Sequence, residues 1–111
     1  MTSPVADEPA NAEFEVDDEG GVPVVSLRGE VDVASSPDLR DCLYRTIARG
    51  TERVVVDLAG LTFIDSSGLG VLVGALKRIR ERGGELELRG LHDPSRRVFE
   101  ITGLTKLFTV T

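Results

Sequence analysis

Two adjacent hydroxyls follow an aspartate in the segment Phe63-Ile64-Asp65-Ser66-Ser67-Gly68-Leu69-Gly70, where an apolar run ends. A serine at the junction of a strand and a helix can cap the helix, act as a nucleophile or accept a phosphate. Capping is the simplest role, because Asp and Ser side chains bind the first free N–H groups of a helix. It does not explain Gly68 and Gly70, since each glycine inside a helix costs about 1 kcal/mol relative to alanine. Close approach of another protein would account for both glycines.

Nucleophilic catalysis would require a general base beside one of the serines. His92 is the single histidine of the chain, and it lies in the turn Leu91-His92-Asp93-Pro94. The sequence alone leaves contact between His92 and Ser66 or Ser67 open. However, Asp65 occupies the place of the first glycine in the Gly-x-Ser-x-Gly elbow of hydrolases. We therefore disfavour a catalytic triad.

Metal and nucleotide sites are also disfavoured. His92 and Cys42 are the only residues of their types and are far apart in the chain, so they form no ligand cluster. Asp57 and Asp65 follow apolar runs and could hold Mg²⁺, but an aspartate at a strand end more commonly caps a turn or a helix. Neither a Gly-x-Gly-x-x-Gly nor a Gly-Lys-Ser/Thr sequence is present. The sequence therefore predicts no metal ligands in this chain.

The first half of the chain predicts a hairpin followed by a helix. Residues 14–16 and 22–27 are β-rich runs joined by the turn Glu19-Gly20-Gly21, which is typical of paired antiparallel strands. Ser35-Ser36-Pro37-Asp38 indicates a helix start with hydroxyl caps, a proline in the first turn and an acid near the positive end of the helix dipole. The apolar stripe Leu39, Leu43 and Ile47 continues this helix to Gly50, and Cys42 among them is expected to pack in the core.

The second half alternates strands and helices. Arg53-Val54-Val55-Val56-Asp57 indicates a strand covered on both faces, and residues 85–89 alternate as a half-covered strand does. A helical stripe follows Asp65 and ends at Gly83-Gly84; its members are Leu69, Leu72, Val73, Leu76 and Ile79. Gly74, together with Gly68 and Gly70, would let this helix approach a neighbour or a partner closely. Asp93-Pro94 opens a third helix, before a last apolar segment at residues 107–110.

This order predicts an α/β fold: a single domain whose mixed, mostly parallel sheet of about five strands is connected by crossover helices. The 111 residues suit one domain, which we place at residues 12–111. Residues 1–11 are expected to form a flexible acidic leader. The net charge of −6 argues against nucleic acid as a partner. Because no apolar run could span a bilayer and no signal peptide is evident, we predict a cytoplasmic protein without membrane contact.

Five stretches at characteristic places carry a family resemblance. They are Gly29-Glu30-Val31-Asp32, the helix from Pro37, Val54-Val55-Val56-Asp57-Leu58, the run from Phe63 to Leu72, and Val98-Phe99-Glu100-Ile101-Thr102-Gly103-Leu104. In order and spacing they closely resemble the STAS domain of bacterial anti-sigma factor antagonists, over roughly residues 12 to 111. The run Asp-Ser-Ser-Gly-Leu-Gly is its most specific element.

The resemblance implies a partner-switching role in transcription regulation. The unmodified protein would bind an anti-sigma factor that is also a serine kinase, and so release a sigma factor. The kinase would phosphorylate Ser67, the second serine of the motif, and a PP2C-type phosphatase would reverse the modification. Asp32 and Asp65 would belong to the partner-binding surface, which also includes Ser66, Ser67, Gly68, Leu69 and Gly70.

The resemblance also implies what this chain does not supply. ATP and magnesium would belong to the kinase, so the chain would need no cofactor, would not be an enzyme, and would be a monomer when free. The alternative is a STAS scaffold or ligand-binding module in another signalling assembly. A phosphate-accepting receiver domain is disfavoured, since the acidic cluster and late lysine that it requires are not evident.

Overall fold

The computed structural model describes residues 11–111, so all but the last residue of the expected acidic leader lies outside the described residues. Strands and helices follow one another in the expected order. They are β1 (Ala12–Glu19), β2 (Val22–Val31), α1 (Ser36–Ile47), β3 (Arg53–Ile64), α2 (Ser66–Glu81), β4 (Glu85–Arg89), α3 (Ser95–Ile101), a 3₁₀ turn (Leu104–Lys106) and β5 (Thr109–Val110). The predicted α/β class is confirmed.

The strands form one mixed sheet in the order β1-β2-β3-β4-β5. β1 pairs with β2 in the antiparallel sense, and each of the other neighbouring pairs is parallel. The predicted hairpin turn is confirmed, because Glu19 pairs with Val22 and the two glycines between them have φ angles of 62° and 89°. Such positive angles favour glycine. β1 forms one edge of the sheet and the two-residue strand β5 forms the other.

β3 is longer than predicted. The sequence indicated a strand over residues 53–57, but the structure continues it to Ile64. The register between β2 and β3 shifts twice along this stretch, between Ser26 and Arg28 and between Gly29 and Glu30. Such irregularities break the simple alternation of buried and exposed side chains by which strands are recognised. The extension carries β3 directly to the Asp65 junction.

The core lies between one face of the sheet and the helices α1 and α2. Alternate residues of the central strands point into it, as do the apolar stripes of both helices; the members include Val25, Leu27, Val54, Val56, Leu58, Leu86, Leu88, Leu39, Leu43, Leu72 and Leu76. Phe99 of α3 is fully buried in the same cluster. Cys42 packs half-buried against it, and this burial raises the pKa of its thiol.

The opposite face of the sheet carries ion pairs. Arg89 on β4 binds Glu19 of β1 and Asp57 of β3, each at 3.1 Å, and these hydrogen bonds raise the pKa of its guanidinium. Arg53 pairs with Glu87 between β3 and β4, and Arg28 pairs with Glu15 between β2 and β1. These pairs link neighbouring and more distant strands across a face that has more polar than apolar side chains.

The predicted hydroxyl caps of α1 are wrong, although the helix begins where expected. Ser35 is the residue before the helix and makes no capping hydrogen bond. Its Oγ instead accepts from the backbone N–H of Asp32 at 3.0 Å, and Ser36 Oγ donates to the carbonyl of Val33 at 3.4 Å. The Asp32 carboxylate accepts from the N–H groups of Ala34 and Ser35. Both hydroxyls therefore stabilise the preceding turn.

Candidate functional site

Asp65 is the residue that caps α2. Its backbone is extended, and its Oδ1 accepts hydrogen bonds from the N–H of Ser67 at 2.9 Å and of Gly68 at 3.2 Å. The hydroxyl of Ser67 donates to the same oxygen at 2.5 Å. Of the three candidate caps, the carboxylate is therefore the one used, while Ser66 is exposed and Ser67 is half-buried.

Hydrogen bonding lowers the pKa of Asp65. The main cause is the donation by the Ser67 hydroxyl, followed by the backbone N–H groups of Gly68, Ser67 and Val33, while burial acts in the opposite direction. Each donor favours the ionised carboxylate. The unmodified protein thus keeps a negative charge beside the Ser67 hydroxyl, at the positive end of the α2 dipole.

Replacing Asp65 by asparagine is expected to lower the melting temperature by a few degrees near pH 7. The asparagine side chain can still accept a capping hydrogen bond, but it lacks the charge. Because the folded pKa of Asp65 is lowered, its stabilisation is complete above the unfolded pKa and is lost as pH falls through the folded pKa. Thermal melts of wild type and Asp65→Asn should therefore begin to converge once the pH falls below the unfolded pKa of aspartate, about 3.9. A difference that stays constant as the pH falls well below this value would contradict the ionised cap.

Asp32 lies beside this junction because the two strands that precede it are neighbours. Val31 at the end of β2 pairs with Ile64 at the end of β3, and the N–H of Asp65 donates to the carbonyl of Val31 at 3.1 Å. The backbone N–H of Val33 also helps to lower the pKa of Asp65. The two aspartates therefore follow the carboxyl ends of adjacent parallel strands, where the loops of an α/β sheet meet.

The residues that follow Ser67 divide between core and surface. Gly68 is buried, and a Cβ there would lie 2.7 Å from Cγ1 of both Val31 and Ile64. Leu69 is only 8% exposed and joins the core. Gly70 is exposed, and a Cβ there would meet nothing within 4 Å. The fold therefore explains Gly68 and leaves Gly70 without a structural reason.

The hydrogen bonds of His92 and Asp57 are made with residues other than Ser66 and Ser67. The ring nitrogens of His92 stand 2.9 Å from the carbonyl oxygens of Asp93 and Ala59, so its hydrogen bonds within residues 11–111 hold the turn before α3. Asp57 lies within β3 rather than at its end, roughly 25 Å of extended chain before Asp65, and it pairs with Arg89. The structure thus forms neither the triad nor the carboxylate pair that the sequence left open.

The surface around Ser67 combines acids with exposed apolar side chains. The segments at residues 29–39 and 58–76, which build it, contain four acids and neither lysine nor arginine; the acids are Glu30, Asp32, Asp38 and Asp65. Val33 is 74% exposed and Phe63 is 48% exposed. Sequence reasoning missed both apolar residues, because a valine or phenylalanine near a strand end is ordinarily assigned to the core.

Metal ligation and membrane insertion find no support within residues 11–111. This part of the chain contains no group of three or more His, Cys, Asp or Glu side chains arranged to hold a metal ion. No helix in it has the length and apolar character needed to cross a bilayer.

Comparisons with known proteins agree with the geometry. The STAS domain model matches residues 13–111. The anti-sigma F factor antagonist of Paenibacillus polymyxa is 36% identical over 101 residues, which cover 90% of this chain and 86% of that protein. The anti-sigma-B factor antagonist of Staphylococcus aureus is 40% identical over 86 residues, covering 78% and 80%.

A solved structure extends this similarity to the fold. The anti-sigma factor antagonist from Mycobacterium paratuberculosis superposes with a TM-score of 0.83 at 27% identity, over 99% of this chain and 89% of that one. The family model spans nearly all of the described residues, and the two curated relatives exceed 30% identity over most of the chain. The resemblance seen in the sequence is thereby confirmed, and this chain belongs to the STAS domain family.

Proposed function

We propose that this protein is an anti-sigma factor antagonist that is switched off by phosphorylation of Ser67. In its unphosphorylated form it binds an anti-sigma factor that is also a serine kinase, and a sigma factor is released. The kinase supplies ATP and magnesium, and a PP2C-type phosphatase restores the active form. The protein acts in the cytoplasm as a substrate and a binding partner rather than as an enzyme.

One observation carries this proposal: the Ser67 hydroxyl stands at the start of α2 without serving as its cap. Asp65 holds the N–H groups of Ser67 and Gly68, so esterification of Ser67 Oγ removes no bond from the helix backbone. A phosphate at a helix N-terminus interacts favourably with the dipole by roughly 0.3 to 1 kcal/mol. The domain can therefore remain folded in both states.

The charges around Ser67 explain why the phosphorylated form would bind the partner more weakly. Asp32 and Asp65 lie on a surface whose two building segments contain neither lysine nor arginine, so these segments supply no cation to neutralise an added negative charge. A phosphate adds about −1.5 to −2 charge at pH 7. It also replaces the hydroxyl that donates to Asp65. Burying the phosphate beside this carboxylate would therefore oppose binding.

Incubation with the cognate kinase and ATP tests the proposal. Mass-spectrometric mapping is expected to place the phosphate on Ser67, and Ser67→Ala should abolish incorporation. Ser66→Ala is the matched control, because it removes the neighbouring exposed hydroxyl, and it should still be phosphorylated. Phosphate found on Ser66 or only at another position would overturn the assignment.

A further inference from the structure

A small apolar pocket lies beside the Ser67 junction, between the end of β3 and α3. Its volume is about 100 Å³, and it is lined by Thr62, Phe63, Ile64, Pro94, Ser95 and Val98. We call it the β3–α3 pocket. Most of these side chains present carbon to the opening, so water gains few hydrogen bonds within it.

Ser95, one of the lining residues, carries an unsatisfied hydroxyl. Ser95 is 2% exposed, and its Oγ is the buried side-chain polar atom of residues 11–111 that lacks a hydrogen-bond partner. A buried polar group without a partner is unfavourable, and such groups are rare in native structures. No residue within 11–111 satisfies the Ser95 hydroxyl, so a polar group that a partner brings to this pocket could do so.

The pocket is continuous with the proposed partner surface. Phe63 forms one wall and is 48% exposed, so it is accessible to a partner. Ile64, another wall, also contacts the position where a Cβ of Gly68 would lie, beneath the start of α2. Asp65 follows immediately along the chain. A partner that covers Ser67 would therefore lie next to residues that line the pocket.

We propose that the β3–α3 pocket receives an apolar side chain of the anti-sigma factor, with Phe63 as the anchor and Ser95 as a hydrogen-bond partner for an adjacent polar group. This inference rests on the proposed function and identifies the apolar part of the interface with the anti-sigma factor. Aromatic residues in well-packed pockets commonly dominate binding energy.

Two substitutions test the pocket, one by removing a wall and the other by filling the space. Phe63→Ala removes its exposed wall, and Val98→Phe fills it. Each is expected to raise the dissociation constant for the kinase at least about tenfold, which corresponds to about 1.4 kcal/mol. Ile101→Ala is the matched control, because Ile101 is 78% exposed on the same helix but does not line the pocket. Its affinity should stay within about twofold of wild type.

Ser95→Ala separates binding from stability. Removing an unsatisfied buried hydroxyl should leave the melting temperature unchanged or raise it, while the affinity for the kinase falls severalfold. Calorimetric titration of the unphosphorylated proteins measures the affinity, and thermal melts confirm that each variant is folded.

The outcomes distinguish this inference from the proposed function. If the kinase phosphorylates Ser67 of wild type but binds Phe63→Ala with unchanged affinity, the pocket proposal fails and the switch stands. If the kinase neither binds wild type nor modifies Ser67, the proposed function itself fails. For the pocket variants, the Michaelis constant for phosphorylation should rise while kcat changes little, because Ser67 is intact.

Discussion

Phosphorylation of Ser67 is expected to weaken binding of the anti-sigma factor at least about a hundredfold while the domain stays folded. A loss of about 2.8 kcal/mol suffices for this change in affinity. The phosphate must be desolvated beside Asp65 at the interface, whereas in the free protein it remains hydrated at the helix N-terminus. The melting temperature should therefore change by no more than a few degrees, in contrast to the affinity.

Calorimetric titration of unphosphorylated and enzymatically phosphorylated protein measures this difference. Ser67→Ala is the control, since its affinity should be the same before and after incubation with kinase and ATP. Raising the ionic strength should reduce the gap between the two forms, because salt screens the exposed part of the repulsion. Equal affinities of the two forms would contradict the switch, and a large loss of thermal stability on phosphorylation would point to unfolding instead.

Two glycines in α2 are expected to respond in opposite ways to the same substitution. Gly68→Ala should lower the free energy of unfolding by about 1 to 3 kcal/mol, because the new Cβ would lie 2.7 Å from both Val31 and Ile64. Gly70→Ala should raise it by about 0.5 to 1 kcal/mol, since the position is open and alanine is the better helix former. Urea denaturation of both variants measures the difference.

Binding measurements then test whether contact with the partner explains the exposed glycine at Gly70. If the partner approaches the backbone of α2 closely, Gly70→Leu should weaken binding without unfolding the domain. Lys77→Leu provides a matched control on an exposed position of the same helix, farther from Ser67. Unchanged affinity for Gly70→Leu would show that the partner does not contact this part of α2.

The sequence predicted elements whose signals are local. The glycine pair after Glu19 predicted the hairpin, and the apolar stripe from Leu69 to Ile79 predicted α2. Both predictions succeeded because residues close together in the chain determine turn geometry and helical spacing. The second half of β3 could not be predicted in the same way. Its register shifts against β2 are properties of the strand pair, and they remove the alternation by which a single strand is recognised.

The site was only partly predictable for a related reason. Its motif indicated a helix start, but Asp65, Ser66 and Ser67 were equally plausible caps until the extended backbone of Asp65 placed its carboxylate over the free N–H groups. Likewise, Gly68 and Gly70 looked alike in the sequence. Their difference depends on Val31, which comes from another strand. The orphaned hydroxyl of Ser95 and the exposure of Phe63 are also visible only once α3 is set against β3.

The composition of the sheet edges has a consequence for the form in which the protein would meet its partner. β1 contains five acids and no base, and β5 is only two residues long, so neither edge favours pairing with another copy. We therefore expect copies to compete for the kinase individually instead of being withdrawn into oligomers. Each unphosphorylated molecule would then be available to bind the kinase on its own.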